Sequence, residues 1–145
     1  MVVVVIGFIL SAIGLPGAVD LISSFERNVA RSQLETDIRR VRSEALAAGA
    51  RVQLTINGDG AGYSVGIDYI PYADPPAPDV VLYNQTLPSG ITVYATQVIL
   101  FDARGFLIDN TGDYTTTTVT IQEGTETFAL ANVFPSGVIE HADYY

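Results

Sequence analysis

The chain has 145 residues, enough for one compact domain with an extension, and its hydrophobic fraction of 48% is high for a domain that faces water throughout. It has no cysteine, which excludes disulfides and thiolate sites, and its single histidine, His141, excludes a multi-histidine metal site within one chain. The net charge of −9 arises after residue 50, because this part of the chain has eleven acidic residues and only two arginines, Arg51 and Arg104. Such an acidic region disfavours binding to nucleic acid.

The first segment of the chain, Met1 to Val19, contains no charged side chain. Such a run is long enough to cross most of the hydrocarbon core of a bilayer, and a single span in lipid must satisfy its own backbone hydrogen bonds, so a helix is predicted. Pro16 and Gly17 predict a kink or a locally melted stretch within it. The side chains predicted to pack in the membrane or against other helices are Val2, Val3, Val4, Val5, Ile6, Phe8, Ile9, Leu10, Ile13 and Leu15.

Apolar residues spaced mostly three or four positions apart follow the proline and predict one face of an amphipathic helix. They are Ile22, Phe25, Val29, Leu34, Ile38, Val41, Ala45 and Ala48. The arginines of this segment are expected to face solvent or neighbouring molecules, and Glu35 and Arg39 are expected to form an i,i+4 ion pair. Gly49 is a plausible C-cap, so one helix is predicted to continue from the first segment to about residue 48.

The rest of the chain has the pattern of short strands separated by turn residues. Strands are predicted at residues 51–56, 63–69, 80–83, 91–94, 98–101, 106–108, 115–122, 127–133 and 138–140. The Asn57-Gly58 pair is typical of a hairpin turn, and the four prolines between Pro71 and Pro78 predict an extended loop.

An antiparallel sheet with one apolar face needs a cover, and the amphipathic part of the helix is the available one. We therefore predict an α+β fold in which a long kinked helix packs on an antiparallel β-sheet head. The predicted helix–sheet contacts are made by Leu34, Ile38, Val41 and Ala45. The predicted parts are residues 1–20, the apolar helix half; residues 21–49, the amphipathic half; and residues 50–145, the head, with residues 25–145 packed as one domain.

Several short elements resemble those of a known family, and they occur in the same order. The apolar run from Met1 to Pro16 resembles the hydrophobic helix of type IV pilins with its mid-helix proline, and Val41-Arg-Ser-Glu-Ala45 resembles an element at the end of that helix. Phe101-Asp-Ala-Arg-Gly105 and Phe134-Pro-Ser-Gly-Val138 resemble two short turn motifs of the sheet domain. The residues that mark these two motifs are Phe101, Gly105, Pro135 and Gly137. Together, the elements resemble the type IV pilin-like minor pseudopilins of the GspH/FimT group.

This resemblance implies a pilin-like fold and a structural function that needs neither catalytic residues nor a cofactor. The implied role is that of a subunit of a type II secretion pseudopilus or a type IV pilus, anchored in the bacterial inner membrane with its head in the periplasm or in an extracellular filament. The implied partners are other pilin-like subunits, bound through the N-terminal helix, together with the inner membrane and a secreted substrate.

The sequence departs from the family at its start. Mature pilins begin with a Phe-Thr-Leu-Ile-Glu-like stretch that follows a basic leader, and neither is present here. The glutamate of that stretch neutralises the N-terminal amine of a neighbour inside an apolar filament core, where an unpaired charge is costly. We expect the leader and the first mature residues to lie upstream of Met1.

Three other interpretations of the chain stay open. The apolar segment could be a cleaved signal peptide, although it lacks a basic start. The protein could be a DNA-uptake minor pilin of the FimT type that uses its helix arginines, although acids match them in number. It could also be a stand-alone membrane-anchored β-domain without a filament role.

The polar loops offer only weak candidates for metal binding or catalysis. Asp109, Thr111 and Asp113 alternate oxygen donors in a glycine-containing loop, as calcium sites do, but no distal glutamate completes the pattern and Asx turns explain the same residues. His141 has acids beside it and no nucleophile in a recognisable motif. The sequence therefore predicts no catalytic residue, no cofactor and no resident metal.

Overall fold

The computed structural model describes the backbone of residues 2–70 and 77–142, and the side chains of residues 21–70 and 77–142. One helix, α1 (Val2–Ala48), forms the N-terminal part of the protein. It ends where Gly49 adopts a φ of 61° and its amide donates a hydrogen bond of 3.0 Å to the carbonyl of Ala45, which is the predicted C-cap.

Two groups of sequence predictions concern residues that are described only in part or not at all. The side chains predicted to pack in the membrane all lie before residue 21, so their role stays a prediction. The backbone is helical through Pro16 and Gly17, so the helix is not melted there, and the kink stays a prediction. Most of the proline-rich loop is also outside the described part. Among residues 21–70 and 77–142, whose side chains are described, no helix combines the length and the apolarity that a membrane crossing requires.

Nine strands follow the helix in the described part of the chain. They are β1 (Arg51–Ile56), β2 (Gly62–Asp68), β3 (Val80–Thr86), β4 (Ile91–Ala95), β5 (Ile99–Phe101), β6 (Leu107–Ile108), β7 (Thr117–Glu123), β8 (Glu126–Val133) and β9 (Ile139–Ala142).

The strands form two sheets in which all neighbours are antiparallel. The first has five strands in the order β3-β2-β1-β5-β6, and the second has four in the order β4-β7-β8-β9. The predicted fold class, one long helix packed on antiparallel β-structure, is confirmed. The division into two sheets could not be read from strand patterns, because strand pairing depends on contacts between residues distant in sequence.

A single apolar core joins the helix to both sheets. The helix contributes a buried stripe at spacings of three and four residues, formed by Ala30, Leu34, Ile38, Val41 and Ala45. The first sheet contributes side chains such as Leu54 and Ile99, and the second contributes Val119 and Ile121. We call the five helix residues the inward stripe.

The N-terminal part of the amphipathic pattern lies on a different face of the helix. Ile22, Phe25 and Val29 have 59%, 68% and 40% of their surface exposed, so they do not join the inward stripe as the sequence pattern predicted. The physical reason is the step of five residues from Val29 to Leu34. At 3.6 residues per turn, this step rotates the pattern by about 140° beyond a full turn, which places the earlier residues on the side of the helix away from the head.

Truncating the inward stripe should cost far more stability than truncating the exposed residues. We expect Ile38→Ala to lower the free energy of unfolding by about 2–5 kcal/mol, because it opens a cavity between the helix and the sheets. Ile22→Ala removes the same atoms from an exposed site and should change it by less than about 0.5 kcal/mol. Urea unfolding of both full-length variants in detergent measures the difference, and equal losses would contradict this packing.

Candidate functional site

The outer face of α1 carries apolar side chains that the head does not cover. Leu21, Ile22, Phe25 and Val29 are exposed, and we call them the outward stripe. A shallow groove next to Val29 is lined by uncharged polar residues, among them Asn28, Ser32 and Thr36. In the sequence this surface follows the charge-free segment Met1–Val19 after one charged residue, Asp20, and its exposed apolar side chains lie in the part of α1 that carries the head.

A first polar contact fixes the point where the helix leaves the head. Arg27 forms an ion pair with Glu123, at the end of β7, and the Ser23 hydroxyl donates to the same carboxylate over 3.3 Å. The guanidinium carbon of Arg27 also lies 5.6 Å from the centroid of the Phe128 ring on β8. The hairpin of β7 and β8 therefore holds the helix at Ser23 and Arg27, within the same turns of α1 as the outward stripe.

A second contact joins the helix to the last strand. Glu35 accepts from Arg31 Nε at 3.1 Å, and His141 Nε2 on β9 lies 3.2 Å from the same carboxylate oxygen. The predicted partner of Glu35 was Arg39, four residues later. Glu35 is half-buried at the edge of the head between Arg31 and His141, whereas Arg39 is exposed to solvent.

The third contact is a buried carboxylate. Asp37 lies on the inward side of the helix, is almost fully buried, and accepts hydrogen bonds from the hydroxyls of Tyr63 at 2.6 Å and Tyr83 at 3.3 Å. Arg40 stacks on Tyr83, with 4.8 Å between the guanidinium carbon and the ring centroid. A buried carboxylate is costly unless it is hydrogen-bonded. The hydrogen bonds from the two tyrosine hydroxyls therefore offset the cost of burying Asp37 in the core.

The environment of Asp37 raises the pKa of both tyrosines. Burial is the largest cause at Tyr63, followed by its hydrogen bond to Asp37, and together they raise its pKa far above the ordinary value. Burial, followed by the negative charge of Asp37, raises the pKa of Tyr83 to about 12. Both hydroxyls therefore stay protonated donors at any physiological pH.

The fourth contact places Arg42 between two glycine turns. Its Nε donates a hydrogen bond of 3.0 Å to the carbonyl oxygen of Gly105. Gly105 and Gly137 have φ values of 75° and 76°, which favour glycine, and a Cβ on Gly137 would lie 2.6 Å from Arg42 Cδ. The Arg42 side chain therefore occupies the space that a larger residue at position 137 would need.

The two turns have the same hydrogen-bond pattern and are joined to each other. The amides of Gly105 and Gly137 each donate to the carbonyl three residues earlier at 2.8 Å, on Asp102 and Phe134 respectively. The amide of Leu107 then donates to the Pro135 carbonyl at 2.8 Å. Three of the four sequence elements that carried the family resemblance, the one around Arg42 and the two turns, thus meet at one place near the end of the helix.

The remaining predicted site residues are placed as follows. Leu34, Ile38, Val41 and Ala45 are buried against the sheets, Phe101 is buried in the core, and Pro135 lies in the second turn. The Asp109 carboxylate accepts from the Thr111 hydroxyl at 2.6 Å and from the Thr111 and Asp113 amides at 2.8 and 3.0 Å. The Thr111 hydroxyl and these amides lower the pKa of Asp109. The loop is an Asx turn, and among the described residues no group of three acids or histidines is arranged to hold a metal ion.

Three functional side chains were not singled out from the sequence. Asp37 lies on the same helix face as the inward stripe, and a charged residue on a buried face indicates that it has a partner. The sequence pattern does not identify Tyr63 and Tyr83 as the partners. Arg42 was expected to face solvent, yet it packs against the two turns. Glu123 gave no signal, because its pairing with Arg27 depends on the fold of the second sheet.

Comparison with known proteins places these features in a family. The model of the family described as type II transport protein GspH matches residues 30–134. The crystal structure of the type IV minor pilin FimU of Pseudomonas aeruginosa is similar with a TM-score of 0.62 and 20% identity, over 81% of this chain and 90% of that one. The minor pseudopilin EpsH from the type 2 secretion system of Vibrio cholerae gives a TM-score of 0.59 and 11% identity, over 81% of this chain and 96% of that one. No curated protein sequence matches the chain significantly.

Alanine at Gly137 should destabilise the protein more than alanine at a turn glycine with free space. Gly90 also has a positive φ, 83°, but nothing lies near its Cβ position, so Gly90→Ala should cost only the backbone strain of about 1–2 kcal/mol. Gly137→Ala adds the collision with Arg42, and Arg42→Ala should abolish that additional loss in a double-mutant cycle. Equal losses for the two glycine variants in urea unfolding would contradict the role assigned to Arg42.

Removing the Tyr63 hydroxyl should destabilise the protein and reduce its sensitivity to alkali. Tyr63→Phe leaves a buried carboxylate oxygen unpaired, which costs about 1–3 kcal/mol, whereas Tyr94→Phe at an exposed site serves as a neutral control. The raised pKa values stabilise the fold fully below the ordinary tyrosine pKa of about 10, and this stabilisation is lost as pH rises toward 12. Between about pH 9 and about pH 11.5, the free energy of unfolding should therefore fall less for Tyr63→Phe than for the wild type. An unchanged pH dependence would count against the buried pair.

Proposed function

Because the chain belongs to the GspH family of type II transport proteins, we propose that it is a minor pilin-like subunit that assembles with other pilin-like subunits through its N-terminal helix. The observation that carries this proposal is the outward stripe. Phe25, Ile22 and Val29 are apolar and largely exposed, and they face away from the head that α1 serves to hold together. Exposed apolar side chains on one helix face are typical of a surface that a partner covers.

The occupant proposed for the outward stripe is the helix of another pilin-like subunit. The stripe follows helical spacing over two turns, and the uncharged polar residues Ser32 and Thr36 extend the same face toward the head. A second helix can pack along such a face without burying an unpaired charge.

The proposal includes an anchor in the bacterial inner membrane, with the head in the periplasm or in the filament. Support comes from the sequence of residues 1–19, which carries no charge and has the length of a bilayer core. The predicted packing residues, from Val2 to Leu15, would contact lipid before assembly and neighbouring helices afterwards. The predicted bend at Pro16 and Gly17 would adjust the helix between these two environments.

The polar contacts of the head support a structural rather than an enzymatic function. Arg27, Glu35, Asp37 and Arg42 tie successive turns of α1 to the head, so the head would follow the orientation of a docked helix. His141, the single histidine, is engaged with Glu35 on the helix. These residues serve the attachment of helix to head, and we propose no catalytic activity.

A DNA-uptake role is less well supported. Arg27, Arg31 and Arg40 are paired with acids, and Arg42 donates to a backbone carbonyl, so four of the five helix arginines are already engaged. The acidic head would also repel a phosphate backbone. Genes for secretion, for pili or for competence beside this one would distinguish the systems, and the absence of all three would favour a stand-alone anchored domain.

Charging the outward stripe should block assembly without unfolding the head. Phe25→Asp places a carboxylate where a neighbouring helix would pack, so we expect the variant to stay folded and membrane-bound but to lose co-purification with other pilin-like subunits. Asn110→Asp adds the same charge to an exposed loop of the head, after β6 and outside this helix face, and should assemble normally. Ile6→Asp, in the predicted membrane segment, should abolish both membrane retention and assembly.

Assembly is measured by affinity purification of the tagged subunit from detergent-solubilised membranes of its own host. Wild-type levels of co-purification for Phe25→Asp would overturn the docking role of the outward stripe. Full membrane retention of Ile6→Asp would overturn the anchor.

A further inference from the structure

The edge strands of the two sheets are not equally protected. Exposed edges invite pairing with other chains, and natural sheets protect them by short length, charge, proline or a covering segment. β6 has two residues, and β9 carries Glu140 and His141. The edge of β4 is covered by the turn between β1 and β2, since the Val93 amide donates to the Gly60 carbonyl at 2.9 Å.

The remaining edge strand, β3, lacks these protections. It has seven residues without a charge or a proline, and its strand partner within the described residues is β2 alone. One bulge, at Leu82, shifts its register against β2. The regular stretch after the bulge, Tyr83 to Thr86, directs alternate backbone N–H and C=O groups away from β2, where a further strand could pair with them.

Exposed apolar side chains lie at the start of the same edge. Val80, Val81 and Leu82 are exposed to 47%, 54% and 39%, and the adjoining end of β2 is followed by the exposed Tyr69 and Ile70. The Asp79 carboxylate accepts from the amides of Tyr69 and Ile70 at 2.7 and 3.0 Å, which holds these two segments together. The backbone groups that face away from β2 thus lie beside an apolar patch, the two features by which sheets bind extended peptides. The Thr86 carbonyl accepts from Gln85 Nε2 at 3.0 Å and keeps a second lone pair for a ladder bond.

We propose that the β3 edge binds an extended, apolar segment with flanking basic residues, which a partner protein adds as a sixth strand to the first sheet. Charge selects this occupant. Residues 51–145 carry a net charge of −9, and Asp79 lies at the start of β3, so a basic segment is attracted. A second copy of this chain, pairing through the same edge, would bring two acidic heads together and is disfavoured.

The test uses the full-length protein in detergent micelles and a synthetic peptide of alternating valine and threonine flanked by lysines. We expect saturable binding by fluorescence anisotropy, with amide NMR shifts centred on Val80–Thr86. The same peptide methylated on alternate backbone nitrogens keeps its side chains and charge but cannot form the ladder. It should bind at least about tenfold more weakly.

Two protein variants locate the binding. Leu82→Lys puts a like charge on the edge and should weaken binding of the lysine-flanked peptide. Val138→Lys is also at an exposed site, 58% against 39% for Leu82, but lies outside both sheets and should leave binding unchanged. Equal binding of the methylated peptide, or shifts centred elsewhere, would overturn the proposal. Self-association that Leu82→Lys abolishes would also overturn it and would assign the edge to a second copy. None of these outcomes depends on filament assembly, so the two proposals fail separately.

Discussion

The structure depends on one constraint: a single helix face has to cover the apolar sides of two sheets. The inward stripe from Ala30 to Ala45 does this, and its members are buried completely or nearly so. Without it, Leu54 of the first sheet and Ile121 of the second would lose their cover. The length of the stripe also determines how much of α1 belongs to the head. The described residues before Ala30, from Leu21 onward, extend beyond the core, and their apolar side chains Leu21, Ile22, Phe25 and Val29 are exposed.

Hydrophobic packing alone would not fix the rotation of this helix, because burial of apolar surface is not directional. The hydrogen-bonded contacts supply the direction. Glu123 holds Arg27 at one end, the Gly105 carbonyl holds Arg42 at the other, and Asp37 receives two tyrosine hydroxyls between them. A rotation or a one-turn slide of α1 would break all of them and would leave a buried carboxylate without partners. The outward stripe is therefore aimed in a fixed direction relative to the head.

Much of this architecture follows from sequence patterns that act over a few residues. Alternation and turn residues predicted the strands, and Gly49 predicted the helix end, since these signals are local. The helix face was predicted correctly from Leu34 to Ala45. It was wrong before Leu34, because the five-residue step after Val29 was taken as part of one stripe, and at Ala48, which is exposed in the last turn of the helix. The site was harder to predict. Arg42 and Glu123 carry no local signal, since their partners are positioned by the packing of two sheets. The turn motifs were recognised by resemblance, and only the structure explains them: Gly137 has to leave room for the Arg42 side chain.

The distribution of charge bears on which neighbours the proposed assembly would accept. Residues 1–50 contain equal numbers of acids and arginines, whereas the head has a net charge of −9. At physiological ionic strength the Debye length is about 8 Å, so heads in direct contact repel one another while heads further apart do not. A filament of many identical copies would place such heads side by side, and each contact would oppose the helix packing that holds the filament together. Interspersed subunits with less acidic heads would remove that opposition. The charge of the head therefore favours a subunit present in few copies, with different proteins as its neighbours.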